Sequence, residues 1–195
     1  MRQEAVKKEY GFTLIETLLS VVIFVVLSLL MAQFFIQAID VWQSSTYDTE
    51  LRSAARNAIG LMSNELYCAT RTSTVFPSAN LTIPDVPNNH NVTFYLPQDI
   101  DGNGLVLNAT GSTEWDIAHP VQYQYVAADK ELLRVANSTS TILCRDVANV
   151  EFEDNAINPT LYNDELRVLL TLQRMTPFHR NVTINLRSII KLRNR

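Results

Sequence analysis

No proline precedes Pro77, and the only glycines before it are Gly11 and Gly60. Because proline and glycine are the residues that most disfavour a helix interior, their scarcity permits one very long N-terminal helix. Charge is also scarce, since Glu16 is the only ionisable side chain in residues 12–39. At about 1.5 Å per helical residue, this apolar run exceeds the roughly 30 Å hydrocarbon core of a bilayer. Residues 12–40 are therefore predicted to form a membrane-spanning helix.

The motifs of common enzymes and of zinc sites are also missing. The three histidines, His90, His119 and His179, are scattered without the spacing of metal ligands. The sequence has no His-Glu-x-x-His run, no Gly-x-Ser-x-Gly turn, no phosphate-binding loop and no paired-cysteine zinc pattern. The net charge of -4 argues against nucleic acid as a main partner. We therefore expect a protein that is not an enzyme and does not bind nucleic acid.

The chain has two cysteines, Cys68 and Cys144. Lys7 and Lys8 precede the apolar run, which by the positive-inside rule places the N-terminus in the cytoplasm and the later residues outside it. The outer compartment is oxidising in most bacteria, so a disulfide is chemically permitted there. Spacing in sequence does not supply the required Cα separation. A Cys68–Cys144 bridge and two buried thiols both remain open.

The apolar pattern changes in residues 41–72. A stripe of apolar residues with three- and four-residue steps replaces the continuous run, and charged residues occupy other faces. We expect the first half of the helix to face lipid and this amphipathic half to pack on a globular core. Gly60, inside it, predicts a bend or a close contact. The stripe comprises Tyr47, Leu51, Ala55, Ala58, Ile59, Met62 and Leu66.

From Val92 onwards the apolar period becomes two, after a polar connector punctuated by Pro77, Pro84 and Pro87. Alternating faces of this kind predict an antiparallel sheet that is covered on one side. We expect an α+β fold, in which the amphipathic helix half packs on a β-rich head of residues 73–195. The predicted strands lie at 92–96, 121–125, 132–135, 141–144, 150–152, 166–172 and 182–192, with a hairpin loop at 175–179.

The start of the apolar run carries a family resemblance. Gly11-Phe12-Thr13-Leu14-Ile15-Glu16 resembles the processing motif of type IV pilins and type II secretion pseudopilins. The resemblance implies that a prepilin peptidase/methyltransferase removes a leader, residues 1–11, by cutting after Gly11. Gly11, Phe12 and Thr13 would form the processing site, and Phe12 would become the methylated N-terminus.

Two other fates of the N-terminus stay open. An uncleaved anchor would keep Met1. A secretory signal peptide would be cut after Leu30-Met31-Ala32, leaving Gln33 first.

The layout of the whole chain is most similar to the J-type minor pseudopilins, and also to the W-type minor pilins. This resemblance implies a tip or initiation subunit of the type II secretion pseudopilus, or of a type IV pilus. Such a subunit sits in the bacterial inner membrane with a periplasmic head, and its partners are other minor and major pseudopilins or pilins. A membrane-tethered periplasmic binding domain is the alternative from another class.

Glu16 is the candidate assembly residue. A carboxylate in a membrane helix costs about 2–3 kcal/mol on insertion scales, so it favours a position where a cation pairs with it. In an assembly, the freed Phe12 amine of a neighbouring subunit could supply that cation and set the axial register. The alternative is that Glu16 reaches the headgroups alone.

A second candidate site lies in Asp99-Ile100-Asp101-Gly102-Asn103-Gly104. Oxygen ligands at alternate positions before a glycine resemble the first half of a calcium loop. The expected closing glutamate is missing, because Thr110 stands at its position. The alternative is a glycine-rich turn between strands around Phe94 and Val106. The predicted calcium ligands are Asp99, Asp101, Asn103, Glu114 and Asp116.

The C-terminal end is basic, with Arg187, Lys191, Arg193 and Arg195. We expect either a solvated strand face or a surface that docks on an acidic partner subunit.

Overall fold

The computed structural model describes residues 13–69 and 81–192. The predicted leader, Gly11, Phe12, most of the polar connector, Arg193 and Arg195 lie outside these ranges. The chain divides into two compact units, residues 1–43 and residues 44–195.

In the first unit, the described residues belong almost entirely to the start of helix α1, which runs over Leu14–Cys68. Every side chain from residue 13 to residue 39 is exposed. By length and composition α1 can cross a membrane, and it is the one such helix in the described ranges. Large apolar side chains exposed on all faces of a helix are typical of a segment surrounded by lipid.

In the second unit, the rest of α1 presents one apolar stripe to a shared core. The predicted helical periodicity is confirmed here, because six of the seven stripe residues are buried and Tyr47 packs against them. The buried six are Leu51, Ala55, Ala58, Ile59, Met62 and Leu66.

Gly60 lies within α1, whose helical assignment continues through it. The predicted close contact at this position is wrong. A Cβ atom added to Gly60 would meet no heavy atom within 4 Å, and its φ is not in the left-handed region. The residue is exposed, on a face of the helix away from the core stripe.

Gly60→Ala is therefore expected to stabilise the protein by about 0.5–1 kcal/mol. Alanine loses less backbone entropy than glycine when a helix forms, and here it creates no clash. Urea unfolding of the full chain in detergent micelles would measure the change. A lower free energy of unfolding in the variant would contradict this expectation.

Five antiparallel strands form the first sheet, in the order β1-β2-β3-β4-β5. Along β4 and β5 the register shifts once, between Leu132 and Leu133. The strands are β1 (Leu81–Thr82), β2 (Asn91–Phe94), β3 (Val121–Val126), β4 (Glu131–Ala136) and β5 (Thr139–Cys144).

The second sheet has three antiparallel strands in the order β6-β7-β8. They are β6 (Val147–Glu153), β7 (Glu165–Met175) and β8 (Asn181–Lys191). β7 and β8 pair without interruption from Glu165↔Lys191 to Met175↔Asn181. Their connection is a tight loop in which the Thr176 N–H donates to Arg180 O at 2.8 Å, and the predicted hairpin is confirmed.

The described strands form two sheets, whereas the alternation of apolar and polar residues in the sequence predicted a single sheet. A period of two shows which side chains share a face, but it does not name the partner strand. The expected strand around Val106 is wrong, because residues 97–117 form an irregular loop with two isolated bridges, Pro97↔Trp115 and Leu107↔Thr113. Positive φ angles at Gly102, Gly104 and Gly111 turn the backbone repeatedly within it.

The core of the second unit is shared by α1 and both sheets. Its largest fully buried side chains include Tyr123 of β3, Phe94 of β2 and Phe152 of β6. The Tyr123 ring lies 5.2 Å from the Phe94 ring and 6.4 Å from the Phe152 ring, centroid to centroid. Aromatic contacts at these distances add to the burial of apolar area.

Candidate functional site

The first candidate site is the N-terminal end of α1. The Glu16 carboxylate accepts two hydrogen bonds from Thr13, one from the backbone N–H at 2.9 Å and one from Oγ1 at 3.0 Å. In return the Glu16 N–H donates to Thr13 Oγ1 at 3.4 Å. This reciprocal arrangement is a capping box, which satisfies backbone donors that have no partner within the helix.

The capping box is not among the features predicted above, although Thr13 and Glu16 have the Ser/Thr-x-x-Glu spacing that signals it. The box gives Glu16 a local partner within its own chain. It also holds the Glu16 carboxylate at the start of α1.

Further along the apolar segment, polar side chains bond to their own helix. The Ser20 hydroxyl donates to Glu16 O at 2.7 Å, and the Ser28 hydroxyl donates to Phe24 O at 2.8 Å. Thr17 Oγ1 donates to Leu14 O at 2.8 Å. Hydroxyls satisfied in this way lower the cost of placing the helix in hydrocarbon, where no water can bond to them.

The second candidate site is the acidic loop, which we define as residues 97–117. Asp99, Asp101 and Glu114 each offer one carboxylate oxygen, and these three oxygens lie within 4.8 Å of one another. Carboxylate oxygens at this spacing suit a hard divalent cation. This cluster could therefore hold an ion.

Backbone N–H groups of the loop already bond to the cluster. Asp99 accepts from Gly102 N at 2.8 Å and from Gly104 N at 2.8 Å, and Glu114 accepts from Ile100 N at 2.7 Å. A carboxylate has more acceptor positions than these bonds use, so the bonds orient the oxygens and leave lone pairs for a cation.

Asp116, a further predicted ligand, lies outside this group of three carboxylates, and the fifth predicted ligand, Asn103, bonds within the loop. Asn103 Nδ2 donates to Asp101 Oδ2 at 2.9 Å, and Asn103 Oδ1 accepts from Leu105 N at 2.7 Å. Both Asp116 carboxylate oxygens lie near His119 Nδ1, at 3.0 and 3.1 Å. Their role as ligands stays a prediction.

Both cysteines are free thiols in the structure, so the bridge between Cys68 and Cys144 is not formed. Cys144 is buried and Cys68 is half-buried. Burial, with a smaller contribution from the Asp146 carboxylate, raises the pKa of the Cys144 thiol to about 11. At neutral pH Cys144 is therefore a protonated core side chain rather than a reactive thiolate.

The raised pKa of Cys144 predicts a loss of stability in alkali. A raised folded-state pKa favours the native state below the unfolded value of 9.0, and this benefit disappears as the pH rises towards 11. We expect the free energy of unfolding to fall over this range, and to fall less steeply in Cys144→Ala between pH 9 and 10. Urea unfolding at each pH checks this, and equal slopes for both proteins would contradict it.

A polar contact ties the amphipathic part of α1 to the five-stranded sheet. The Glu65 carboxylate accepts from the Tyr123 hydroxyl at 2.6 Å and from Arg134 Nε at 2.8 Å. The backbone of Tyr123 and Arg134 is paired across β3 and β4. Burial, followed by the hydrogen bond to Glu65, raises the pKa of the Tyr123 hydroxyl far above its ordinary value.

Arg174 of β7 makes the corresponding contact from the three-stranded sheet. Its guanidinium donates to Glu50 of α1 at 2.6 Å and to Asp146 at 2.6 Å. It also lies 5.0 Å from the centre of the Tyr47 ring, a cation–π distance. These contacts hold the helix in a defined rotation on the head, which the sequence analysis did not foresee.

A long apolar helix followed by antiparallel sheets, with the amphipathic part of the helix packed on them, is a pilin-like α+β fold. At the N-terminus, residues 6–32 match the prokaryotic N-terminal methylation motif. Residues 6–32 are therefore similar to the N-terminal segment of type IV pilins and type II secretion pseudopilins, and the match does not extend to the head. No curated protein and no solved structure matches the chain.

Proposed function

We propose that this protein is a minor pseudopilin of a type II secretion system, acting at the tip to initiate the pseudopilus. The observation that carries the proposal is the methylation motif over residues 6–32, within which begins a helix, Leu14–Cys68, whose later part packs into the core of a β-rich head. A minor pilin that initiates a type IV pilus would use the same parts, and it is the second candidate.

On this proposal, the protein is inserted in the inner membrane with its head in the periplasm. A prepilin peptidase/methyltransferase cuts after Gly11 and methylates Phe12. The helix is then extracted into the filament, where exposed apolar side chains pack on the helices of other minor and major subunits. Support comes from the exposed apolar surface of residues 14–39, which needs either lipid or protein around it.

The test is the mature N-terminus. Full-length protein from cells that contain the peptidase should begin at N-methylated Phe12, as read by mass spectrometry. Gly11→Leu should keep the leader and begin at Met1, while Ala5→Leu, a change away from the cut, should be processed normally. Wild-type protein that retains Met1, or that begins at Gln33, would overturn the proposal in favour of a membrane-tethered domain or a secreted one.

Deleting the gene separates the two candidate systems. Loss of exoprotein secretion with surface fibres intact supports the pseudopilin assignment. Loss of fibres with secretion intact supports the type IV pilin assignment.

For the acidic loop we propose that the ion is calcium, because oxygen-only ligands in an irregular loop suit its flexible coordination better than that of magnesium. Calcium should raise the melting temperature of the full chain in detergent by several degrees, since it binds the folded state. Asp99→Asn should remove the shift, while Asp129→Asn, an exposed acid outside the loop, should keep it. An equal shift with magnesium, or none with calcium, would contradict the proposal.

A further inference from the structure

The two edges of the three-stranded sheet differ. At the β6 edge, backbone groups are occupied by neighbouring segments. Val147 N donates to Lys130 O at 2.9 Å, and Phe152 N donates to Asn89 O at 2.8 Å. The β6 carbonyls also have partners, since the Tyr125 hydroxyl lies 3.0 Å from Ala148 O and His90 Nδ1 lies 2.7 Å from Val150 O.

The opposite edge is β8. In an antiparallel pair, successive residues alternately bond to the partner strand and point away from it. Thr176 N donates to Arg180 O at one end of the hairpin, and Leu192 N donates to Asp164 O at the other. With no register shift between them, the even-numbered β8 residues bond to β7. The outward N–H and C=O groups belong to Asn181, Thr183, Asn185, Arg187, Ile189 and Lys191.

Within residues 13–69 and 81–192, no strand pairs with this outward side of β8, and no backbone hydrogen bond reaches it. The side chains of the same six residues are all exposed. The outward edge of β8 therefore offers unpaired donors and acceptors along 11 residues, which is long for an unprotected edge strand.

The charge on this edge has one sign. Arg187 and Lys191 are its two ionisable residues, and it carries no carboxylate. Lys191 Nζ lies 3.4 Å from Asp164 Oδ2, but the lysine side chain is 74% exposed, so the pairing is weak. A second copy of this chain would bring its own Arg187 and Lys191 to the same face, which disfavours self-pairing.

We propose that the outward edge of β8 is a docking site for an extended, acidic segment of another protein, which adds as a fourth strand of the sheet. Backbone hydrogen bonds supply affinity in this mode of recognition, and side chains at alternate positions supply specificity. Carboxylates on the added strand pair with Arg187 and Lys191, and Ile189 offers an apolar contact. The inference rests on the head alone and does not depend on processing after Gly11.

Amide hydrogen exchange of the full chain in detergent micelles tests whether the edge is open. The outward amides of Thr183, Arg187 and Ile189 should exchange quickly, and the inward amide of Ile184 should exchange slowly. The acetylated peptide Thr-Glu-Val-Glu-Val-Glu-Thr is the probe. It should slow the outward amides, and it should bind at least about tenfold more tightly than the same peptide with glutamine in place of glutamate.

Two pairs of variants keep the proposal falsifiable. Thr183→Pro removes an outward N–H that makes no bond to β7, so it should weaken peptide binding at least about tenfold while the melting temperature stays within a few degrees. Thr183→Ala should bind as the wild type does. Arg187→Glu should reverse the preference towards a lysine peptide, while Arg56→Glu, an exposed change on α1, should not.

Three outcomes would overturn the proposal. Slow exchange of the outward amides in the free chain would mean that the edge is already covered. Equal binding of the glutamate and glutamine peptides would mean that the cations only protect the edge from aggregation. Concentration-dependent self-association that protects the outward amides would assign the edge to a second copy of the chain.

Discussion

Glu16→Ala is expected to lower incorporation of the protein into filaments by at least about tenfold, with the membrane-inserted level unchanged. In our proposal, the carboxylate pairs with the freed amine of a neighbouring subunit in a medium of low dielectric constant, where such a pair is strong. Removing one partner leaves the other charge buried and unpaired, which is strongly unfavourable. The measurement compares the amount in sheared filaments with the amount in the membrane.

The capping box makes this experiment ambiguous unless a second variant is included. Alanine removes both the charge and the bonds to Thr13, and a lost cap alone costs about 0.5–2 kcal/mol. Glu16→Gln keeps an acceptor for Thr13, since glutamine also serves in a capping box, but it removes the charge. If charge pairing sets the register, the Glu16→Gln and Glu16→Ala variants should show the same loss of incorporation into filaments.

Normal assembly of Glu16→Gln, with a defect in Glu16→Ala, would assign Glu16 to the helix cap and refute the register role. Normal assembly of both variants would remove Glu16 from the mechanism altogether. Ser28→Ala serves as the matched control, because it changes a polar residue of the same helix whose hydroxyl bonds only within that helix.

Glu65→Ala is expected to destabilise the folded head by about 2–4 kcal/mol. The substitution leaves the Tyr123 hydroxyl, on a fully buried side chain, without its acceptor, and it leaves the half-buried Arg134 without its carboxylate. Each loss carries the desolvation cost of an unpaired group. Urea unfolding of the full chain in detergent, followed by near-ultraviolet circular dichroism, gives the free energy.

A double-mutant cycle makes the Glu65 prediction specific. Tyr123→Phe removes the donor together with its need for an acceptor, so it should cost only about 1 kcal/mol. In the Tyr123→Phe background, Glu65→Ala should lower the free energy of unfolding by less than in the wild type, because there is no Tyr123 hydroxyl to be left without an acceptor. Strict additivity of the two changes would show that Tyr123 and Glu65 do not act together.

The sequence predicted the parts of the fold that depend on local pattern. The stripe from Leu51 to Leu66 has helical spacing, and the structure buries it. The hairpin of β7 and β8 follows from two alternating runs around a short loop. Both signals are contained in short continuous stretches of sequence, where the period of the apolar residues indicates the type of secondary structure.

The contacts that fix the arrangement lie beyond the reach of local pattern. Glu65 bonds to residues 58 and 69 positions away, and Arg174 reaches Glu50 across 124 positions. In the sequence, nothing distinguishes any of these charged residues from an ordinary charged residue on the protein surface. The separation into two sheets was missed for the same reason, since alternation does not identify strand partners.

The candidate sites were predictable to different extents. The N-terminal motif is a contiguous string, so the sequence alone predicts it, and residues 6–32 match the prokaryotic N-terminal methylation motif. In the acidic loop, the spacing suggests five ligands, and the structure brings the carboxylates of Asp99, Asp101 and Glu114 together. Which carboxylates come together depends on the backbone path of an irregular loop, and that path cannot be inferred from residue spacing.

The burial of the α1 stripe bears on how the head can be released from the membrane. Six side chains between Leu51 and Leu66 belong to the same core as the sheets. A protease that cuts before Tyr47 would free a head that keeps these six side chains and Tyr47, which packs against them. A cut after Leu66 would strip those six side chains from it and leave an apolar surface open to water. Shedding of an intact head is therefore confined to the short stretch of helix between the apolar segment and Tyr47.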